Sequence, residues 1–179
     1  MGITFRETKL KGAFVIEPEK FEDDRGFLAR SFSQREFENH GLNARMVECN
    51  ISFSSKRHTV RGMHFQNPPH AQAKLIRCTK GSIYDVIVDL RPKSSTFKQW
   101  IGEELTVENR RLLYAPEGFA HGFQTLEENT EVFYQISNFY APGSEGGVRW
   151  NDPAFGIMWP ATDGVIINER DRNYPDFKA

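Results

Sequence analysis

Short runs in which apolar and polar residues alternate, each closed by glycine, proline or other turn residues, fill most of this chain, and a period of two marks strands with one face buried. The span from Lys74 to Leu90 shows it most clearly. One strand runs to a Lys80-Gly81 turn; in the next, Tyr84, Val86, Val88 and Leu90 share one face while Ile83, Asp85, Ile87 and Asp89 share the other. Two acids on one face are either solvated groups on a convex side or hydrogen-bonding groups on a concave one. Further strands are expected at 13–17, 27–32, 44–54, 100–107, 111–115, 121–126 and 131–140. A chain patterned in this way closes into an all-β fold, a single antiparallel β-barrel or jelly roll with one or two short helices.

One helix has a recognisable start and stop. Ser33-Gln34-Arg35-Glu36 fits a capping box, Phe37 and Leu42 supply apolar contacts, and Gly41 ends the element near His40. From Asp152 onward proline, glycine and tryptophan interrupt short apolar pieces, which predicts loops and a turn of helix laid across the barrel. With no repeat, low-complexity tract or linker, residues 1–179 read as one domain, long enough to bury a core without metals or disulfides.

Composition excludes some functions. Lys plus Arg number 23 against 24 Asp plus Glu, so no binder of nucleic acid relying on phosphate neutralisation is expected, although local basic groups for one diphosphate remain available. Residues 1–6 form neither a signal peptide nor a myristoylation motif, whose Ser or Thr position is taken by Arg6, and no run approaches a membrane span. The expectation is a soluble, cytoplasmic protein without a membrane partner. Cys49 and Cys78 lie in strand-like runs rather than a spaced framework, which suits reduced thiols and leaves a disulfide between them open. Fifteen Phe, five Tyr and three Trp can fill a barrel, line a base-stacking pocket or bury a subunit interface.

Two of the five histidines stand in distinctive surroundings: His64 in Arg61-Gly62-Met63-His64-Phe65-Gln66, and His121 in Ala115-Pro116-Glu117-Gly118-Phe119-Ala120-His121-Gly122-Phe123. β-prone residues and glycines flank both, so each is expected to project from a strand or turn into a barrel mouth, where a neutral imidazole accepts a proton. Lys74 follows His64 by ten residues, with Pro68-Pro69 forcing a turn between two extended runs. Such a loop can bring an imidazole and an ammonium to one cavity.

The stretch RGMHFQNPPHAQAKLIRC, the later APEGFAHGF and the tail GIMWPATDGVIINERD together resemble the dTDP-4-dehydrorhamnose 3,5-epimerase family, sugar-nucleotide epimerases of the cupin superfamily, from about Asp24 to Asp171. The resemblance implies a cupin-type barrel, a nucleotide-diphosphate 4-keto-6-deoxy sugar as substrate, no cofactor, and a homodimer whose exchanged strands carry Arg25 to the partner's pocket. Inverting carbons α to a ketone requires a base, a cation or donor on the enolate oxygen, and an acid on the opposite face. His64 is the natural base and Lys74 the natural oxyanion partner, a point charge worth roughly 3–4 kcal/mol in a dry site. The resemblance assigns the acid to Tyr134 and the orienting aspartate to Asp171. It also assigns substrate binding to Arg25, Arg61, Asn50, Ser52 and His121, and Tyr140 and Trp150 are candidate stacking surfaces, with a structural role favoured for Trp150.

Two residues depart from the family pattern: Arg30 stands where a glutamate is usual and Glu48 where a glutamine is usual. Both positions are associated with the base pocket, so the expected base is not thymine, and cytosine and guanine are the candidates. A metal-dependent cupin enzyme, such as a dioxygenase, needs a His-x-His pair, but Phe65 and Gln66 follow His64, so no metal site is expected. A non-catalytic sugar-nucleotide binder would have no use for a proton donor set opposite a proton acceptor. An epimerase acting at C3 alone, on a CDP- or GDP-linked sugar, needs the same residues as one acting at C3 and C5.

Overall fold

The computed structural model describes residues 2–178. Two antiparallel sheets face each other. The first has six strands in the order β1 (Ile3–Glu7), β2 (Phe14–Pro18), β10 (Leu112–Ala115), β7 (Lys74–Lys80), β12 (Thr130–Ile136) and β5 (Glu48–Ser54). The second runs β13 (Glu145–Gly147), β6 (Val60–Gln66), β11 (Phe119–Thr125), β8 (Ser82–Asp89) and β9 (Trp100–Thr106). A separate hairpin joins β3 (Lys20–Asp23) to β4 (Gly26–Ala29), and two helices, α1 (Gln34–Asn39) and α2 (Glu169–Arg172), complete the described elements. This is the expected all-β jelly roll with two short helices.

Alternation along the strands divides the apolar residues into three layers. Val15, Ile76, Leu113 and Val132 of the first sheet meet Ile83, Ile87, Phe119 and Phe123 of the second to form the central core. The next residues along, Phe14, Leu75, Leu112 and Tyr114, face outward and are covered by Phe37 of α1 and Leu42. On the far side Val86, Val88 and Ala120 are covered by Trp150, Phe155 and Trp159 from the C-terminal region. Truncating a fully buried aliphatic such as Ile76 or Ile87 to alanine costs ~2–5 kcal/mol.

Asp85 falls in the central layer with Ile83 and Ile87, as the alternation requires, and is fully buried there. Asp89, at the strand end, is equally buried and tied to Arg91, Ser94 and Thr96. Those bonds outweigh the burial that would push its acidity the other way, and hold its pKa down at about 2.

Several strand limits differ from expectation for local reasons. The strand expected at 27–32 is the second arm of a hairpin and stops at Ala29, ahead of Ser33, which caps α1 through Glu36 N–H. The strand expected from 44 begins at Glu48, because the Asn43 side chain takes the Arg45 N–H into a local turn. The run expected to continue to 140 ends at Ile136, where Asn138 bonds Phe139 N–H and turns the chain aside. β1, β3 and β13 were not anticipated. Cys49 is exposed and Cys78 buried, both as free thiols. Trp150 is core rather than a stacking surface, its carbonyl accepting from Trp159 Nε1 at 2.7 Å.

Candidate active site

The two histidine motifs lie side by side, His64 on β6 in register with His121 on β11. Their glycines explain how. Gly62 holds φ at +132°, and a Cβ there would fall 2.5 Å from the Cα of Gly122, so only glycine lets the two strands approach this closely. The ladder shifts register between His121 and Phe123 at this point. The N–H of Gly62 turns to the buried carboxylate of Asp171 on α2, donating to Oδ2 at 3.1 Å, and the imidazole of His64 donates from Nε2 to Oδ1 at 2.7 Å.

Asp171 is therefore held from two sides, and α2 is placed by its own cap, the Asn168 side chain accepting Asp171 N–H at 2.7 Å. Burial alone would push the Asp171 pKa up, but the hydrogen bonds from His64 and Gly62 and the nearby Arg170 outweigh it and hold the group below the usual carboxylate range. An ionised carboxylate on Nε2–H fixes the tautomer and leaves Nδ1 as the basic nitrogen of His64.

A second pair repeats the pattern. His121 Nε2 lies 2.7 Å from Asp85 Oδ1, and the second Asp85 oxygen is buried without a hydrogen-bond partner. Burial pushes the Asp85 pKa up, against the opposing pull of His121 and Lys74. Lys74 comes from β7 in the opposite sheet, with Nζ donating to the backbone carbonyl of His64 at 3.0 Å. Burial brings its pKa down to about 8, with Asp85 pulling it back up. Tyr134, on β12 beside β7, packs against the central core, and burial pushes its phenol up so that it is protonated at neutral pH.

These groups line two adjoining cavities of about 280 and 290 Å³ that share His64, Lys74, Tyr134 and Arg170. The inner one adds Ser52, Arg61, His121 and Asp171; the outer one adds Glu48, Asn50 and Tyr140. Arg61 is steadied by Ser54 Oγ at 3.2 Å and the Phe53 carbonyl at 2.9 Å. Glu48 accepts the Tyr140 N–H at 3.2 Å, and the Tyr140 hydroxyl donates to Glu145.

Two anticipated substrate-binding residues lie outside the cavities of their own chain. Arg25 sits at the tip of the β3–β4 hairpin, exposed and bonded to Asp23. Arg30, just beyond the hairpin, pairs with Glu36 at 3.2 Å. The hairpin is a two-stranded projection separate from both sheets, which is why neither arginine reaches the cavity between them.

Other lining residues escaped the sequence reading. Arg170 adjoins Asp171 in sequence and could have been found there; Asp85, which stands behind His121, lay on a face that alternation left open between solvent and core. Glu145 and Tyr174 carried no signal, because β13 is three residues long and Tyr174 lies in an irregular tail. Among the described residues no group of three His, Cys, Asp or Glu side chains is placed to hold a metal ion, and no helix is long and apolar enough to cross a membrane. The assembled groups are an imidazole with a fixed tautomer, a buried ammonium and a neutral phenol around two adjoining cavities. That set suits proton abstraction next to a carbonyl.

The family model for dTDP-4-dehydrorhamnose 3,5-epimerase matches residues 7–179. The dTDP-4-dehydrorhamnose 3,5-epimerase of Salmonella typhimurium is 44% identical over 170 residues, covering 94% of this chain and 92% of that protein. Among solved structures, the enzyme of that name from Elizabethkingia anophelis superposes with a TM-score of 0.95 at 43% identity, covering 98% of this chain and 96% of the other. The one from Bacillus anthracis, with TDP and pyrophosphate bound, gives 0.94 at 44% identity and covers 98% and 100%. Sequence and fold thus agree along nearly the whole chain: the chain belongs to the dTDP-4-dehydrorhamnose 3,5-epimerase family and is an isomerase, an epimerase.

Proposed function

We propose that the protein inverts C3 and C5 of a dTDP-linked 4-keto-6-deoxyhexose, in the biosynthesis of a deoxysugar. His64 removes the proton α to the ketone through Nδ1. Lys74 holds the enolate oxygen, and Tyr134 returns a proton on the other face. Asp171 keeps the base in its tautomer and stabilises the imidazolium that forms. The observation that carries this reading is that His64 stands on one sheet and Lys74 and Tyr134 on the facing one, all lining shared cavities. A flat ring bound between the sheets then meets the imidazole on one side and the phenol on the other.

Arg61, Asn50, Ser52, His121 and Tyr140 bind the substrate, the guanidinium taking diphosphate oxygens. Thymine is favoured over cytosine or guanine as the base because the relative with TDP bound is 44% identical. Arg25 serves the groove of a second subunit in a homodimer; its exposure, together with that of Phe21 and Leu28 on the same hairpin, supports this.

Incubation with a dTDP-4-keto-6-deoxy sugar in deuterated water tests the reaction. Deuterium at both C3 and C5 with inverted product is expected, label at C3 alone would make the protein a C3 epimerase, and no label at either carbon would overturn the assignment. His64→Ala should lower turnover by at least ~10²-fold with nucleotide binding little changed.

A further inference from the structure

The hydrogen bond to Asp171 fixes His64 at one vertex of its ring. A single hydrogen bond sets a distance but leaves the ring free to rock about the bond axis, and a base must hold its lone pair on the substrate C–H direction. The second contact comes from the same C-terminal segment. Tyr174, just past Asn173 at the cap of α2, sets its ring edge-to-face against the imidazole, centroids 6.3 Å apart and planes at 69°.

Tyr174 has a seat made for it. A Cβ on Gly147 would lie 2.1 Å from Cζ of the Tyr174 ring, so the ring rests directly on the glycine backbone. Gly147 on β13 is the register partner of His64 on β6. Imidazole, phenol ring and bare backbone therefore pack at one point, on the wall of the outer cavity that also carries Glu145 and Arg170.

We propose that Tyr174 is a positioning residue for the base: its ring, seated on Gly147, stops His64 from rocking about the Asp171 hydrogen bond and keeps the free imidazole nitrogen on the cavity. The inference rests on the assignment of His64 as the base. It is the ring, not the hydroxyl, that makes the contact.

Four variants test it: Tyr174→Phe, Tyr174→Ala, Gly147→Ala and the Tyr174→Ala/Gly147→Ala double. Phe should keep kcat within ~3-fold of wild type, whereas Ala should lower kcat about 10-fold with KM little changed, as for lost orientation of a catalytic group. Gly147→Ala, which leaves the tyrosine in place but displaces it, should cost a similar factor. In the double variant the clash is gone, so the two losses should not add. A readout independent of substrate is the NMR titration of the His64 ring in the free protein. Wild type and Tyr174→Phe should titrate alike, while Tyr174→Ala should shift the midpoint as the rocking ring weakens its bond to Asp171, with the proton still on Nε2. Wild-type kcat and an unchanged His64 titration in Tyr174→Ala would overturn the proposal, as would additive losses, or a Phe variant as impaired as Ala. If the wild type itself exchanged no deuterium, the epimerase reading would fall, and the ring titration would still decide the role of Tyr174.

Discussion

His64 and Asp171 are 107 residues apart in sequence and 2.7 Å apart in space. The same carboxylate accepts the N–H of Gly62, two residues before the histidine, so α2 holds both the imidazole and the backbone of the strand that bears it. Asp171→Asn preserves the size of the group but loses the charge that, in the proposed mechanism, stabilises the imidazolium. It should lower kcat by ~10²-fold or more with substrate affinity little changed, a split that steady-state kinetics reads directly. Because the folded protein holds this carboxyl below its usual pKa, its contribution to stability is present above the ordinary carboxylate range and is lost as the pH falls through the lowered value. The variant should therefore lose less stability than wild type on acidification, as seen in chemical denaturation at a series of pH values.

The strand pattern and the two histidine motifs were legible from sequence because they depend on local rules. Alternation placed Asp85 with Ile83 and Ile87 correctly, and the capping box placed α1. Of the anticipated site, His64, Lys74, Tyr134, His121 and Asp171 do share cavities. Asp171, however, was carried by family resemblance alone, since nothing local distinguishes it from a solvated tail residue. Glu145, Arg170 and Tyr174 owe their places to long-range packing of an irregular tail and a three-residue strand. No periodicity signals such contacts.

In the proposed mechanism Tyr134→Phe removes the acid and leaves the base, its orienting carboxylate and the ammonium in place. Abstraction by His64 and its reversal on the same face should continue, so solvent deuterium should still enter the substrate while net inversion falls by ~10²-fold, the usual weight of a general acid. Mass spectrometry of recovered substrate together with product analysis separates the two. Equal loss of exchange and inversion would give the tyrosine a different task.

In its proposed role Lys74 must be charged to stabilise an enolate, and burial has brought its pKa down to about 8. The rate should accordingly fall above about pH 8 as the ammonium loses its proton. Stability moves the other way. The folded protein binds this proton less tightly than the unfolded chain does, so between the folded value and the ordinary lysine range the unfolded state carries more protons and stability rises with pH. Lys74→Met should abolish that rise and inactivate the enzyme together. Comparing unfolding midpoints of the two proteins from pH 7 to pH 10 on the general lysine scale checks the sign.

Gly62 gives the sharpest test of how backbone geometry serves the site. An alanine there would place its Cβ 2.5 Å from Gly122 Cα and 2.9 Å from the His121 carbonyl, at a φ of +132°. Neither neighbour is the flexible end of a side chain, so β6 and β11 would have to separate. Backbone strain and overpacking together should cost roughly 2–5 kcal/mol, or about 5–15 °C in Tm for a chain of this length. Gly164→Ala is the control, since it also has a positive φ, +66°, but nothing within 4 Å of the added methyl; it should cost only about 1 kcal/mol. The two variants should differ more in rate than in stability, because separating the strands moves the Gly62 N–H that holds Asp171 and, through Asp171, the imidazole of His64. If Gly62→Ala, at a temperature where it is fully folded, kept the kcat of Gly164→Ala, the link from the glycine contact to the base would be absent.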